Sequence, residues 1–202
     1  MMQDEAPYIK QLRNIRQDEL DEIITDDKNI YDEAYEFLAA HQPGDLDKLR
    51  LYDDPSYSLW NLYGLETLLD DATRTRVWLK SGGYLVIEPT EALTVIDVNT
   101  GKYEGNKNAE ATFLKINQEA AFETAKQLRL RNISGIVIID FIDMKTEADK
   151  LEVLSTLNHA LKRDPVKATL VDMTKLNLAE VTRKKVKRSL REQLGNYDYR
   201  RN

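Results

Sequence analysis

The 202-residue sequence predicts a layered α/β protein, and three features predict it. From about residue 75 to 184, short β-branched segments alternate with long amphipathic ones, the pattern of strands covered by helices. Gly135 to Phe141 is a continuous apolar run, which reads as a fully buried central strand. Residues 4–76 differ, being acidic and mostly helical in pattern, so the chain is expected to divide at about residue 75.

The elements follow in order. Leu20 to Thr25 suits a short strand. Asp26 or Asp27 is placed to cap a helix over about Asn29 to Ala40, with Tyr31, Ala34, Tyr35 and Leu38 on one face. Gln42-Pro43-Gly44 ends that helix, and Leu49 to Tyr52 reads as a strand. Ser58 to Ala72 predicts one helix with Leu59, Leu62, Tyr63, Leu65, Leu69 and Ala72 in its stripe. Three strands then come in quick succession: Arg76 to Leu79, Tyr84 to Ile87 after a Ser81-Gly82-Gly83 turn, and Leu93 to Val98 after Pro89. A polar loop, Asn99 to Asn108, leads into a long helix over Ala109 to Leu130 with Leu114, Ala121, Ala125 and Leu128 on one face. Beyond the run at Gly135, a helix is expected over Thr146 to Lys162, its inner face made of Leu151, Leu154, Leu157 and Leu161. Val166 to Met173 and Leu178 to Lys184 predict strands, and the chain is expected to end in a basic helix. Trp60 and Trp78 are expected in the core or an interface.

Composition removes several chemistries. Without cysteine there is no disulfide framework, thiol nucleophile or Cys-ligated zinc within the chain. With His41 and His159 the only histidines, a His–His acid–base pair is nearly excluded. The longest apolar runs fall far short of the roughly 20 residues of a membrane span, and the start has no export-signal pattern, so a cytoplasmic setting is expected. The net charge of −6 hides an asymmetry. From Leu161 onward there are 12 basic against 5 acidic residues, while the first 160 residues carry 17 against 30. The basic run Arg183-Lys184-Lys185-Val186-Lys187-Arg188 reads either as a solvated face or as a polyanion contact.

Two carboxylates stand at the ends of apolar strands: Asp97 in Leu93 to Asn99, and Asp140 after Ile136 to Ile139. Alternation puts Asn99 on the face of Asp97. Two carboxylates and an amide make a hard oxygen set, suited to Mg²⁺ or Mn²⁺ and not to zinc. Asp143 is placed to support the site or cap the next helix. On spacing alone, Asp97 and Asp140 are equally readable as strand terminators or helix caps.

Longer strings carry more. Ser81-Gly82-Gly83-Tyr84-Leu85-Val86-Ile87-Glu88-Pro89-Thr90-Glu91-Ala92-Leu93-Thr94-Val95-Ile96-Asp97-Val98-Asn99-Thr100 resembles the ribonuclease E/G family. So do Asn117-Gln118-Glu119-Ala120-Ala121, Gln127-Leu128-Arg129-Leu130-Arg131 and Gly135 to Met144. The likeness is contiguous over about Val77 to Met144 and looser on either side. It implies a Mg²⁺-dependent endoribonuclease that cleaves single-stranded RNA to 5′-phosphate and 3′-hydroxyl ends. It implies that Asp97 and Asp140 hold the metal, and that Asn99 orients Asp97 and is the third catalytic residue. It further implies a DNase I-like mixed-sheet subdomain over about 76–202, packed on a partial RNase H-like subdomain over about 1–75. The family's oligonucleotide-binding barrel, 5′-phosphate sensor, two-Cys zinc motif and small dimerisation domain have no counterpart in the 202 residues. The resemblance therefore suggests a catalytic-core fragment without zinc, a monomer or weak homodimer, drawn from a protein of higher homo-oligomeric order. An RNA-binding fragment with little turnover is the alternative, and a DNA phosphodiesterase a third reading.

Basic residues would position the RNA backbone without reading sequence. The candidates are Lys102 and Lys107 in the polar loop, Arg129 and Arg131 at the end of the long helix, Lys167, and Arg183 with the basic stretch to Arg191. Arg129 is equally explained by complementing the helix dipole. Lys167 stands where the family carries an Arg that engages the RNA 5′ end, so the charge is kept but not the bidentate fork. Tyr103 is the aromatic residue best placed in a loop to stack on a base.

Overall fold

The structure, a computed structural model, describes residues 6–15, 20–101 and 109–195. The chain divides into two compact units, Met1–Leu65 and Glu66–Asn202. The boundary falls before the expected change of pattern at about 75, because most of the helix that precedes it travels with the second unit.

The first unit contains α1 (Pro7–Asn14), β1 (Ile23–Thr25), α2 (Lys28–His41), a 3-10 turn (Pro43–Lys48), β2 (Leu49–Leu51) and α3 (Leu59–Leu62). Asp27 caps α2 by accepting from the backbone N–H of Asn29 at 2.7 Å and of Ile30 at 3.2 Å. β1 and β2 pair in parallel, and Ile9, Ala34, Phe37, Leu38 and Leu49 form a small core. The single helix expected over 58–72 is broken. Gly64 adopts φ 57°, a left-handed conformation that glycine enters without steric cost, and separates α3 from α4 (Leu65–Thr73).

The second unit continues with β3 (Arg76–Trp78), β4 (Tyr84–Pro89), β5 (Leu93–Asn99), α5 (Ala109–Leu130), β6 (Gly135–Asp140), α6 (Glu147–Leu161), β7 (Ala168–Met173), β8 (Leu178–Arg183) and α7 (Leu190–Leu194). Its strands form one mixed sheet in the order β3-β4-β5-β6-β8-β7. β5 and β6 run parallel and are joined through α5, while the other pairings are antiparallel. Alternate side chains (Leu85, Ile87, Ile96, Val98, Val137, Ile139) are buried in a core with Ile116, Ala120 and Leu128 of α5 and Val153, Leu157 and Leu161 of α6.

On the opposite face of the sheet the alternate side chains of β4, β5 and β6 are half-buried or exposed. This corrects the reading of β6. The strand is central, but Ile136 is 48% exposed and Asp140 is exposed, while Val137 and Ile139 are fully buried. A β-branched run can therefore come from a half-buried strand whose open side is apolar. The inner face of α6 follows expectation at Leu154, Leu157 and Leu161, with Val153 and Ala160 added to it, and departs at Leu151, which is 66% exposed. The basic run is not helical, since Lys184 to Arg188 follow β8 in irregular structure and α7 spans only Leu190–Leu194.

Candidate metal and phosphodiester site

Asp97 and Asp140 are register partners on the adjacent parallel strands β5 and β6. Strands lie about 4.8 Å apart, so both carboxylates leave the same open face side by side. Asn99 reinforces the pair: its Nδ2 donates to Asp97 Oδ2 at 2.8 Å. The carboxyl of Asp140 is held above its ordinary range, first by partial burial, then by the charges of Asp97 and Asp143. Crowded like charges on a rigid sheet are what a bound cation would relieve, and the donors are all hard oxygens. Among the described residues no group of three or more His, Cys, Asp or Glu is arranged to hold a metal. Two carboxylates alone leave most of a hard cation's coordination shell to other oxygen donors.

Three contacts fix this frame. At Gly83 a Cβ would come within 2.8 Å of the Asn99 carbonyl oxygen, and at Gly101 (φ 67°) it would collide with the Gly82 carbonyl, so the β3–β4 turn and the end of β5 meet backbone to backbone. Glu119 of α5 clamps that turn, accepting from the N–H of Lys80 at 2.6 Å and of Ser81 at 3.0 Å. Asn117 is fully buried and pins the segment after Asp140, donating to the Ile142 carbonyl at 2.8 Å and accepting from its N–H at 3.0 Å.

Of the predicted RNA contacts, Arg129, Arg131, Lys167 and Arg183 are not brought to this centre. Lys102, Lys107 and Tyr103 lie outside the described residues. Arg183 pairs in register with Gly135, five residues from Asp140 along β6, which sets it about 17 Å away. Arg183 is also buried: its Nε donates to Asp164 Oδ2 at 2.7 Å and its Nη1 to Asn132 Oδ1 at 2.9 Å, in an ion pair with side chains 3% and 0% exposed. Its charge is neutralised inside the fold, so Arg183 is a structural tie and not a surface contact. Arg131 is likewise 8% exposed, with its Nε on Gln127 Oε1 at 2.7 Å. It borders a cavity of about 540 Å³ with Thr94, Ile133 and Leu190, again at the end of the sheet away from Asp97 and Asp140. Arg129 is half-buried at the C-terminus of α5, and Lys167 is exposed just before β7, both at that same far end.

Another group does share the open face. Trp78 is 63% exposed and not in the core, and it pairs across the strands with Tyr84, which in turn pairs with Asn99. Arg76 occupies the row of Val86, Asp97 and Asp140. The available signal was strand alternation in Arg76-Val77-Trp78, which puts Arg76 and Trp78 on one side of an edge strand.

Fold and site together define an α/β protein with a paired-carboxylate centre suited to a divalent cation. The chain belongs to the ribonuclease E/G family, whose profile, described as Ribonuclease E/G family, matches residues 1–186. It is 43% identical to Ribonuclease G of Haemophilus influenzae over 179 residues, which is 89% of this chain and 36% of the relative. It is 40% identical to Ribonuclease G of Escherichia coli strain K12 over 185 residues, covering 92% of this chain and 38% of the relative. Ribonuclease E of Nostoc sp. is 46% identical over 133 residues, covering 66% and 19% respectively. The chain thus spans little more than a third of the length of the ribonuclease G relatives it matches. No helix among the described residues is long and apolar enough to cross a membrane.

Proposed function

We propose that this chain is the catalytic core of a Mg²⁺-dependent endoribonuclease acting on single-stranded RNA in the cytoplasm, a monomer or weak homodimer on its own. The observation that carries this reading is the register pairing of Asp97 with Asp140, with Asn99 hydrogen-bonded to Asp97, on an open sheet face. The second unit reads as the DNase I-like subdomain of the family, and the first as part of an RNase H-like one. Asp97 and Asp140 would hold Mg²⁺, and Mn²⁺ would serve as well. When bound, the ion supplies Lewis-acid activation of a water and of the scissile phosphate. Asn99 holds Asp97 in one rotamer, so the carboxylate is preorganised. The open face admits an extended strand, and the parallel pair β5–β6 keeps both carboxylates at fixed spacing. In-line attack by water leaves 5′-phosphate and 3′-hydroxyl ends.

The test is cleavage of a short A/U-rich single-stranded RNA, with and without EDTA, by the wild type, Asp97→Asn and Asp140→Asn. Each substitution and EDTA should lower the rate by at least about a hundredfold. Equal cleavage by all three proteins would overturn the assignment. A second reading, RNA binding with little turnover, is favoured by one observation: exposed Lys167 and the exposed basic run Lys184 to Arg188 sit together at the far end of the sheet. Salt-dependent RNA binding without Mg²⁺-dependent products would select it.

A further inference from the structure

We infer that Trp78, Tyr84 and Arg76 form a stacking subsite for an unpaired base of the RNA strand, on the same sheet face as Asp97 and Asp140. The inference rests on the reading of that centre as one for RNA. It names the element that would select single strands.

The trio is preassembled. The Trp78 and Tyr84 rings lie 5.1 Å apart at 60°, and the Arg76 guanidinium carbon stands 4.5 Å from the Tyr84 ring and 5.8 Å from the Trp78 ring. Trp78 nonetheless remains 63% exposed, so a large π surface faces solvent. Arg76 makes no ion pair or side-chain hydrogen bond among the described residues beyond these ring contacts. Its guanidinium N–H groups are therefore available to a phosphate.

Position decides what would occupy such a surface. Tyr84 is the register partner of Asn99, one strand from the carboxylate pair, and Trp78 is one strand further, about 10 Å from β5. Arg76 lies in the same cross-sheet row as Asp97 and Asp140. A strand whose phosphate sits at the carboxylates would carry a neighbouring base across these rings and a phosphate past Arg76. Aromatic faces accept any base, because every base has a π face, but only an unpaired one can present it. A duplex keeps its bases stacked on each other and offers this surface only backbone. The centre itself contributes carboxylates, which repel phosphate, so an adjacent aromatic and cationic contact supplies the attraction that the centre lacks.

The test reads binding without cleavage. Trp60→Phe leaves Trp78 as the sole tryptophan of the chain. Titration in EDTA with a single-stranded RNA oligonucleotide should quench its emission saturably, and the same sequence as a duplex should not. By anisotropy of a labelled strand, Trp78→Ala or Tyr84→Ala should weaken binding about tenfold each, with Trp78→Phe restoring most of it. Melting temperature monitors the fold of each variant. Absence of quenching by a strand that the wild type cleaves would overturn the subsite while leaving the nuclease reading intact. Quenching with no cleavage under Mg²⁺ would support the subsite and sink the nuclease reading. Equal quenching by single strand and duplex would overturn the selection for unpaired bases.

Discussion

Asp140 is held where its own charge is unfavourable. Partial burial, then Asp97, then Asp143 raise its carboxyl above the ordinary range. A carboxyl whose folded-state value is raised binds its proton more tightly in the folded protein. Its ionisation therefore lowers stability, fully above the folded value and not at all below the unfolded value near pH 4. Asp140→Asn should accordingly melt above the wild type in EDTA at neutral pH, and the gap should close under acid. Mg²⁺ should raise the wild type more than the variant, because a ligand stabilises the state that binds it. Calorimetric scans with and without the ion check both halves; an equal Mg²⁺ shift in the two proteins would remove Asp140 from the ligand set. Asp97, Asn99 and Asp140 were readable as candidates because strand alternation is strict and each stands at a strand end. The buried ion pair of Arg183 was not readable, because its partner Asp164 is 19 residues away in sequence and only the fold brings the two together. Of the two places expected for Trp78, exposure excludes the core. Hydrophobicity reports the cost of exposing a side chain, not whether something else covers it.

At the scale of elements, the frame beneath the site depends on α5 gripping the turn between β3 and β4. Burial alone would raise the carboxyl of Glu119, but the Ser81 and Lys80 donors outweigh it and the value is lowered. A lowered carboxyl adds stability above its unfolded value, lost as pH falls through the folded value. Glu119→Gln should thus melt below the wild type at neutral pH. The two melting curves should converge as the pH drops below about 4.3, where the wild-type carboxyl begins to take up its proton. A gap that does not narrow at all on acidification would show that the clamp is not electrostatic. This tie was invisible in the sequence, where Glu119 is 39 residues from Lys80. The helices and strands themselves were more legible. α2 and α5 stand within a residue or so of their expected limits, because capping and a long amphipathic pattern agree. The break at Gly64 was missed because an apolar stripe continues across it, and periodicity does not register a single left-handed residue.

Across the whole molecule the two units are unequal. Among the described residues, the first buries five apolar residues in its core cluster and pairs two strands of three residues each. The second buries twenty around a six-stranded sheet. Burial of apolar area is the main favourable term in folding, and small cores leave little margin over conformational entropy. The disparity was not legible in the change of pattern near residue 75, since composition does not say which apolar residues find partners. The chain should therefore open in two steps, with the amides of β1, β2 and α2 exchanging through a lower free energy than those of β4, β5, β6 and β8. Because Asp97 and Asp140 stand on the central strands of the more stable unit, a bound cation should slow exchange of β5 and β6 amides and leave β1 and β2 unchanged. Hydrogen exchange followed with and without Mg²⁺ in mild denaturant reads both steps at once. Equal opening free energies for β1 and β5 would mean one cooperative unit. A cation effect spread evenly over both would place the binding energy somewhere other than the paired carboxylates.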